Sequence, residues 1–235
     1  MALIVRIDVD RPYGKEGFIR HVASYLSSEY YFPRIAWLGY LDELKVILRI
    51  LNEKRKPAYV CFRRCSLPSP EVIELMRSGG HAFALHLENS RSFETFQREL
   101  LSLKDFLKTS VKTFSKHGSG RDQYGWNHFA PYEPEKYLTW AKQAGMKLFM
   151  GNLEDPTLEP VTDGPLVYFP AAFWLEPDWR DTQKYPIEWL LREARKRDVV
   201  MLLHPDNVVS DQRIMNDFVV ALDNLPSELL TTTVA

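Results

Sequence analysis

Cysteine is almost missing from this chain: Cys61 and Cys65 are the only two in 235 residues. Two thiols cannot build a disulfide framework, and Cys-x-x-x-Cys without a second pair is a poor zinc motif. They read as reduced, partly buried thiols. Long apolar runs are missing as well. Nothing approaches the roughly 18 consecutive apolar residues of a membrane span, and the most apolar runs, such as 199–203, are strand length. No charged segment followed by a long apolar stretch is seen at the start, so no secretory signal is visible. Neither sign of charge is in excess: 30 basic and 31 acidic residues give a net charge of −1. That balance argues against a protein whose main work is gripping nucleic acid. There is no P-loop or dinucleotide fingerprint and no Gly-x-Ser-x-Gly nucleophile elbow; "HGSGRDQYG" carries glycines but matches none of these. The expectation is a soluble, cytoplasmic protein without membrane or nucleic-acid partners, acting on a small molecule or a glycan. A homo-oligomer is compatible with this composition.

What is present is ordinary in bulk and regular in pattern. Hydrophobic residues make up 45% and charged residues 26%, as in globular proteins generally. The length suits one α/β barrel or one large α/β domain. Short apolar runs at 3–9, 58–62, 82–86, 112–115, 147–150, 166–169 and 199–203 read as strands. Amphipathic segments lie between them. Apolar residues at 41, 44, 47, 48 and 51 form the stripe of a half-buried helix. Ser69-Pro70 opens a helix that Gly79-Gly80 ends. Ser92, Pro134, Pro186 and Asp211 start four more, and Gly145 closes the one from Pro134. Residues 192–197 fall on the polar face of a helix. Residues 152–165 read as a long loop. Strand–helix alternation from end to end implies parallel strands with right-handed crossovers. With no repeat, low-complexity tract or linker, residues 1–235 are expected to form a single domain, a closed or nearly closed βα barrel. An open doubly wound sheet is the alternative.

In a parallel barrel the chemistry gathers where strands run out into their loops. The first strand ends in "RIDVDRP", and residues two apart on a strand share a face, so Asp8 and Asp10 point the same way. Two neighbouring carboxylates repel unless a cation, a proton or donors compensate. Taken alone they read as a turn, since Asp10, Pro12 and Gly14 are ordinary loop starters. Three of the six histidines, His86, His117 and His204, fall at or just after other strand ends on the same rim. That shared edge lifts a site above a turn. One Asp and two His make a common divalent-metal set with positions left open. A second carboxylate beside it is suited to general-base work and a histidine opposite to general-acid work. Arg63 or Arg64, Lys116, Trp126, His128, Tyr132 and Trp174 lie in or near the rim loops and are candidates for substrate contact; packing and solvated charge explain them equally well. Arg11 is placed to compensate the aspartate charge.

The order and spacing of these pieces resemble the polysaccharide deacetylase superfamily, the NodB-homology or carbohydrate esterase family 4 group. "RIDVDRP" resembles its first motif, "MRSGGHAFALHLENS" its Gly-His, short strand and metal-binding His, and "VVMLLHPDN" its last Leu-His motif. The likeness runs from about Ile4 to Asn207. It implies a distorted, seven-stranded βα barrel, with Asp8 as general base, Asp10 and His86 as metal ligands, His81 as structural and His204 as general acid. The implied activity is hydrolysis of a carbon–nitrogen bond other than a peptide bond, such as removal of an N-acetyl group from a carbohydrate. The implied cofactor is a divalent metal, zinc foremost, with cobalt, nickel or manganese as alternatives. Two departures stand out. Ser90 falls where the family has a further ligand, and serine is a poor zinc ligand; "SKHG" replaces an Arg-x-Pro-like motif. His117 is therefore expected to supply the missing imidazole, with Glu88, Asn89 or Ser90 in outer positions. The rival expectations are a binding barrel with a decayed metal site and a hydrolase of a non-sugar amide such as a cyclic imide or ureide.

Overall fold

The computed structural model describes residues 1–14, 17–31, 34–120, 122–182 and 184–230. In chain order the elements are β1 (Leu3–Val9), α1 (Phe18–Tyr30), α2 (Asp42–Glu53), β2 (Tyr59–Phe62), α3 (Pro70–Ser78), β3 (Ala82–Leu87), α4 (Phe93–Leu107), β4 (Thr113–Lys116) and α5 (Pro134–Gln143). They continue with β5 (Leu148–Leu153), β6 (Val161–Asp163), β7 (Leu166–Ala171), β8 (Phe173–Trp174), α6 (Pro177–Thr182), α7 (Ile187–Glu193), β9 (Val199–Leu203), α8 (Pro205–Ser210) and α9 (Gln212–Asn224).

One curled sheet of nine strands runs in the order β6-β7-β5-β4-β3-β2-β1-β9-β8, parallel throughout except for β6. The architecture is α/β, a half-barrel whose concave side carries the site. The expected alternation of strand and helix holds through β5 and then fails: β6, β7 and β8 follow without a helix between them. Within the segment expected to be a loop, residues 161–163 pair antiparallel with β7 through a turn at Gly164, whose φ is +59°. Asp-Gly-Pro is turn chemistry that also closes a hairpin. Only Ala172 separates β7, which borders β5, from β8, which borders β9.

Helices α2 to α5, α7 and α9 form where their sequences place them, but α7 stops at Glu193, so residues 194–197, expected on its polar face, are turn and bend; α1, α6 and α8 lie outside the expected helices. Ser69 accepts from Val72 N with Pro70 next to it, Ser92 and Thr95 form a reciprocal cap, and Asp211 accepts from Arg213 N and Ile214 N. Strand β1 shows how two cores arise from one alternation. Leu3, Val5, Ile7 and Val9 pack outward against the helix layer with Leu44, Ile47 and Leu48 of α2. Ile4 points into the curl, where Tyr59, Ala84, Met150 and Val200 form a second, smaller core. Arg6 and Asp8 share that inner face, at 0% and 2% exposure. Among the described residues no helix is long and apolar enough to cross a membrane. Both cysteines are free, as expected, and are fully rather than partly buried.

Candidate metal centre

The inner face of β1 leads from apolar to charged, and the charges are answered side by side. Arg6 donates through Nε to Asp8 Oδ1 at 2.9 Å and through Nη2 to Asp8 Oδ2 at 2.5 Å. Its Nη1 reaches the carbonyls of Met150 and Gly151 at 3.0 and 2.8 Å, and Nη2 reaches Asn152 Oδ1 at 2.7 Å. Burial alone would raise the Asp8 carboxyl, but Arg6, then His86, hold it below the usual range. Asp8 is thus an ionised carboxylate fixed in place.

Two residues further, Asp10 lies partly open to a cavity of about 690 Å³. Its Oδ1 is 2.9 Å from His86 Nε2 and 3.1 Å from His117 Nδ1. The two imidazole nitrogens are 3.3 Å apart. Asp10, His86 and His117 form a group that could hold a metal ion. The donor set suits the ion: two imidazoles and a carboxylate are a common zinc combination. One orphaned atom points the same way, because Asp10 Oδ1 is buried yet has no hydrogen-bond partner of proper geometry. His86 Nδ1 lies 2.7 Å from Ser115 Oγ, which is 3.4 Å from Asp8 Oδ1. A proton on His86 Nδ1 turns the lone pair of Nε2 toward Asp10, as outer partners of metal-binding histidines commonly do.

The charges around the group fall into a pattern. Burial would raise Asp10, but the imidazoles of His117, His204 and His86 hold it well below the usual carboxylate range. Burial, with Arg63 nearby, pushes His117 well down, the direction that favours the neutral form a metal ligand needs. His204 moves the other way. Burial opposes its proton, but Glu176 and Asp10 raise it well above the ordinary value. Its Nδ1 is 2.7 Å from Glu176 Oε1 and its Nε2 is 3.2 Å from Asp10 Oδ2.

The structure therefore brings together Asp8, Asp10, His86, His117 and His204 around one cavity wall. Ser90 is not part of it: its Oγ lies 3.1 Å from the Tyr137 hydroxyl. Glu88 is turned away from the group into an ion pair with Arg63. Among the expected substrate contacts, Trp126 is exposed on the cavity rim. Arg63 lines the cavity but is committed to Glu88, to Asp10 O at 3.0 Å and to Ser28 Oγ at 2.9 Å. Lys116 is fully buried, with Nζ donating to His117 O and lying 3.1 Å from His128 Nε2. Burial pushes the lysine down to about 7, so it is no solvated charge. His128 is buried rather than free to stack. Tyr132 is not on the cavity wall; its hydroxyl accepts from Asn152 N at 3.0 Å.

Sequence reasoning missed three residues that organise the site. Arg6 was legible in principle, as a charge at the same strand parity as Asp8. Asn152 ties Arg6 to the carbonyls of Lys116 and Gly118, at 2.5 and 3.1 Å from its Nδ2. Glu176 follows β8 and meets His204 only through the fold. No family model matches the chain, and no curated protein sequence matches it.

Proposed function

We propose that the protein is a metal-dependent hydrolase that removes an acyl group, N-acetyl foremost, from a carbohydrate or related small amide. The observation that carries the proposal is the convergence of Asp10, His86 and His117 on one point of a cavity wall, with the Asp8 carboxylate held by Arg6 and the His204 imidazole held by Glu176 beside them. A divalent ion held by these three residues, zinc foremost, would supply Lewis acidity toward the acyl carbonyl and lower the pKa of water from 15.7 toward roughly 7. Arg6 and Ser115 hold Asp8 in position to take the proton of the attacking water. Glu176 keeps the His204 proton available, and His204 gives it to the departing nitrogen. The fold fits this reading as a distorted seven-stranded barrel when residues 166–174 are taken as one bent strand bordering both β5 and β9. The reading also takes a small molecule or glycan in the cytoplasm as its substrate.

A second reading rests on Arg6. It engages both oxygens of Asp8, which suits a structural carboxylate in a barrel that binds without turnover. One comparison separates the two. Acetate release from N-acetyl sugars, and ring opening of cyclic imides, are measured with zinc-, cobalt-, nickel- and manganese-supplemented protein. Release from sugars that disappears in Asp8→Asn and His204→Ala, with metal retained, supports the deacylase. Imide opening without acetate release moves the substrate to a non-sugar amide. No turnover of either supports the binding barrel.

A further inference from the structure

Helix α1 is amphipathic the wrong way round for a core helix. Its stripe of His21, Ser24, Tyr25 and Ser28, at i, i+3, i+4 and i+7, lines the cavity. Phe18 and Ile19 are turned outward, 82% and 65% exposed. A helix normally buries its apolar face. The inward face of α1 is thus cavity wall; Arg20, Ser24 and Ser27 tie the helix to the carbonyls of Leu38, Gly14 and Cys65, and a further attachment lies near its C-terminal end.

That end is fastened to the segment after β4. Trp126 N donates to Glu29 Oε2 at 2.9 Å, and Glu29 is 7% exposed. Asn127 Nδ2 donates to the carbonyls of Ser28 at 3.2 Å and Glu29 at 3.0 Å. The Tyr30 and Trp126 rings meet edge to face with centroids 5.5 Å apart. Gly125 has φ +132°, a conformation that residues with a side chain rarely adopt, and a Cβ there would press on Glu29 Oε1 and displace the carboxylate from its bond to Trp126 N. Helix α1 follows β1 and the segment follows β4, with β2 and β3 between them in the sheet. Their contact therefore crosses the rim above two strands. The floor beneath is closed too: Arg63 reaches Ser28 Oγ, and Phe129 N donates to Glu88 O at 3.2 Å.

We propose that this clasp closes the cavity on its β2–β3 side, so that the site admits a single N-acylated sugar or the last unit of a glycan chain and excludes internal units. The inference rests on the deacylase reading and deepens it. An internal unit needs a groove that continues on both sides of the reacting residue. The contact between α1 and the segment ends any such groove above β2 and β3, and the cavity beside it, about 690 Å³, lies within the ~300–1,000 Å³ range of small-molecule pockets. Glu29 acts as a positioning residue here, through Trp126 and the segment it holds.

The probes are N-acetylglucosamine and its β-1,4-linked hexamer, offered to zinc-supplemented protein. Acetate release is mapped along the hexamer by tandem mass spectrometry, and contact by saturation-transfer NMR. The native protein should touch and deacetylate terminal units only. Glu29→Ala should raise internal relative to terminal deacetylation at least tenfold, whereas Glu29→Gln, which keeps a carbonyl oxygen for Trp126 N–H, should hold the native pattern. Asn127→Ala serves as the second opening variant should Glu29→Ala not melt cooperatively. Contact with internal units in the native protein overturns the clasp, whether or not acetate is released. Terminal contact without acetate release overturns the deacylase reading and supports the clasp. Absence of saturation transfer to either sugar overturns the proposed ligand class.

Discussion

A guanidinium in the middle of a parallel strand is costly to bury unless every donor is met, and Arg6 meets its neighbours almost entirely through groups of the site. Asp8 takes two of its hydrogen bonds, and the β5 end, from Met150 to Asn152, takes the rest. Removing one member of a buried pair typically costs about 3–5 kcal/mol because the other charge is stranded. Arg6→Met should show a loss of that size in urea unfolding, and Arg6→Met with Asp8→Leu should recover most of it. A single-variant loss below about 1 kcal/mol would mean that Asp8 finds another partner. His81 gives a separate, pH-dependent effect. It accepts from Ala58 N through Nδ1 at 3.1 Å, its Nε2 lies 2.7 Å from Asn52 Oδ1, and burial pushes it down to about 4. The unfolded chain takes up this proton near 6.5, and the folded chain resists it until about 4. The contribution is complete above the unfolded value and is lost as pH falls toward the folded one. Native protein should lose about 2 kcal/mol between pH 8 and pH 5 from this residue. His81→Gln should remove that part of the slope in unfolding titrations.

At the scale of elements, the sequence is most readable where a helix buries an apolar stripe. The stripe at 41, 44, 47, 48 and 51 became α2, with Leu44, Ile47, Leu48 and Leu51 all buried. Leu48→Ala should cost about 2–5 kcal/mol, whereas Val46→Ala on the outer face should stay within about 0.5 kcal/mol; thermal melts of the two variants test the contrast. Ser92→Ala, which removes a cap on α4, should cost about 1 kcal/mol. Helix α1 went unread because periodicity reasoning looks for buried apolar residues, and the residues it buries are Ala23, Ser24, Ser27 and Glu29. Strand β6 reads as loop because all three of its residues are exposed, so no alternation marks it. The ends of β1 and β9 are legible to the residue, since apolar residues bound both strands and fill β9 throughout.

At the scale of the molecule, parallel pairing explains how much of the site could be anticipated. Asp10, His86 and His117 come from β1, β3 and β4, strands whose C-terminal ends lie on one rim, so a reading of strand ends alone gathers them. Glu176 lies 28 residues before its partner His204 in a stretch without a readable pattern, and only the sheet order joins them. The inner commitments of Arg63 and Lys116 were also illegible, because a charge at a strand end reads alike whether it faces water or a buried partner. The central claim is that Asp10, His86 and His117 bind one divalent ion. Its most direct test is calorimetric titration of zinc into chelator-treated protein, repeated with cobalt, nickel and manganese. The account predicts one equivalent bound by native protein, by Asp8→Asn and by His204→Ala, and binding lost in Asp10→Ala, His86→Ala and His117→Ala. No binding of any of the four ions, or full occupancy in His86→Ala and His117→Ala, would contradict it.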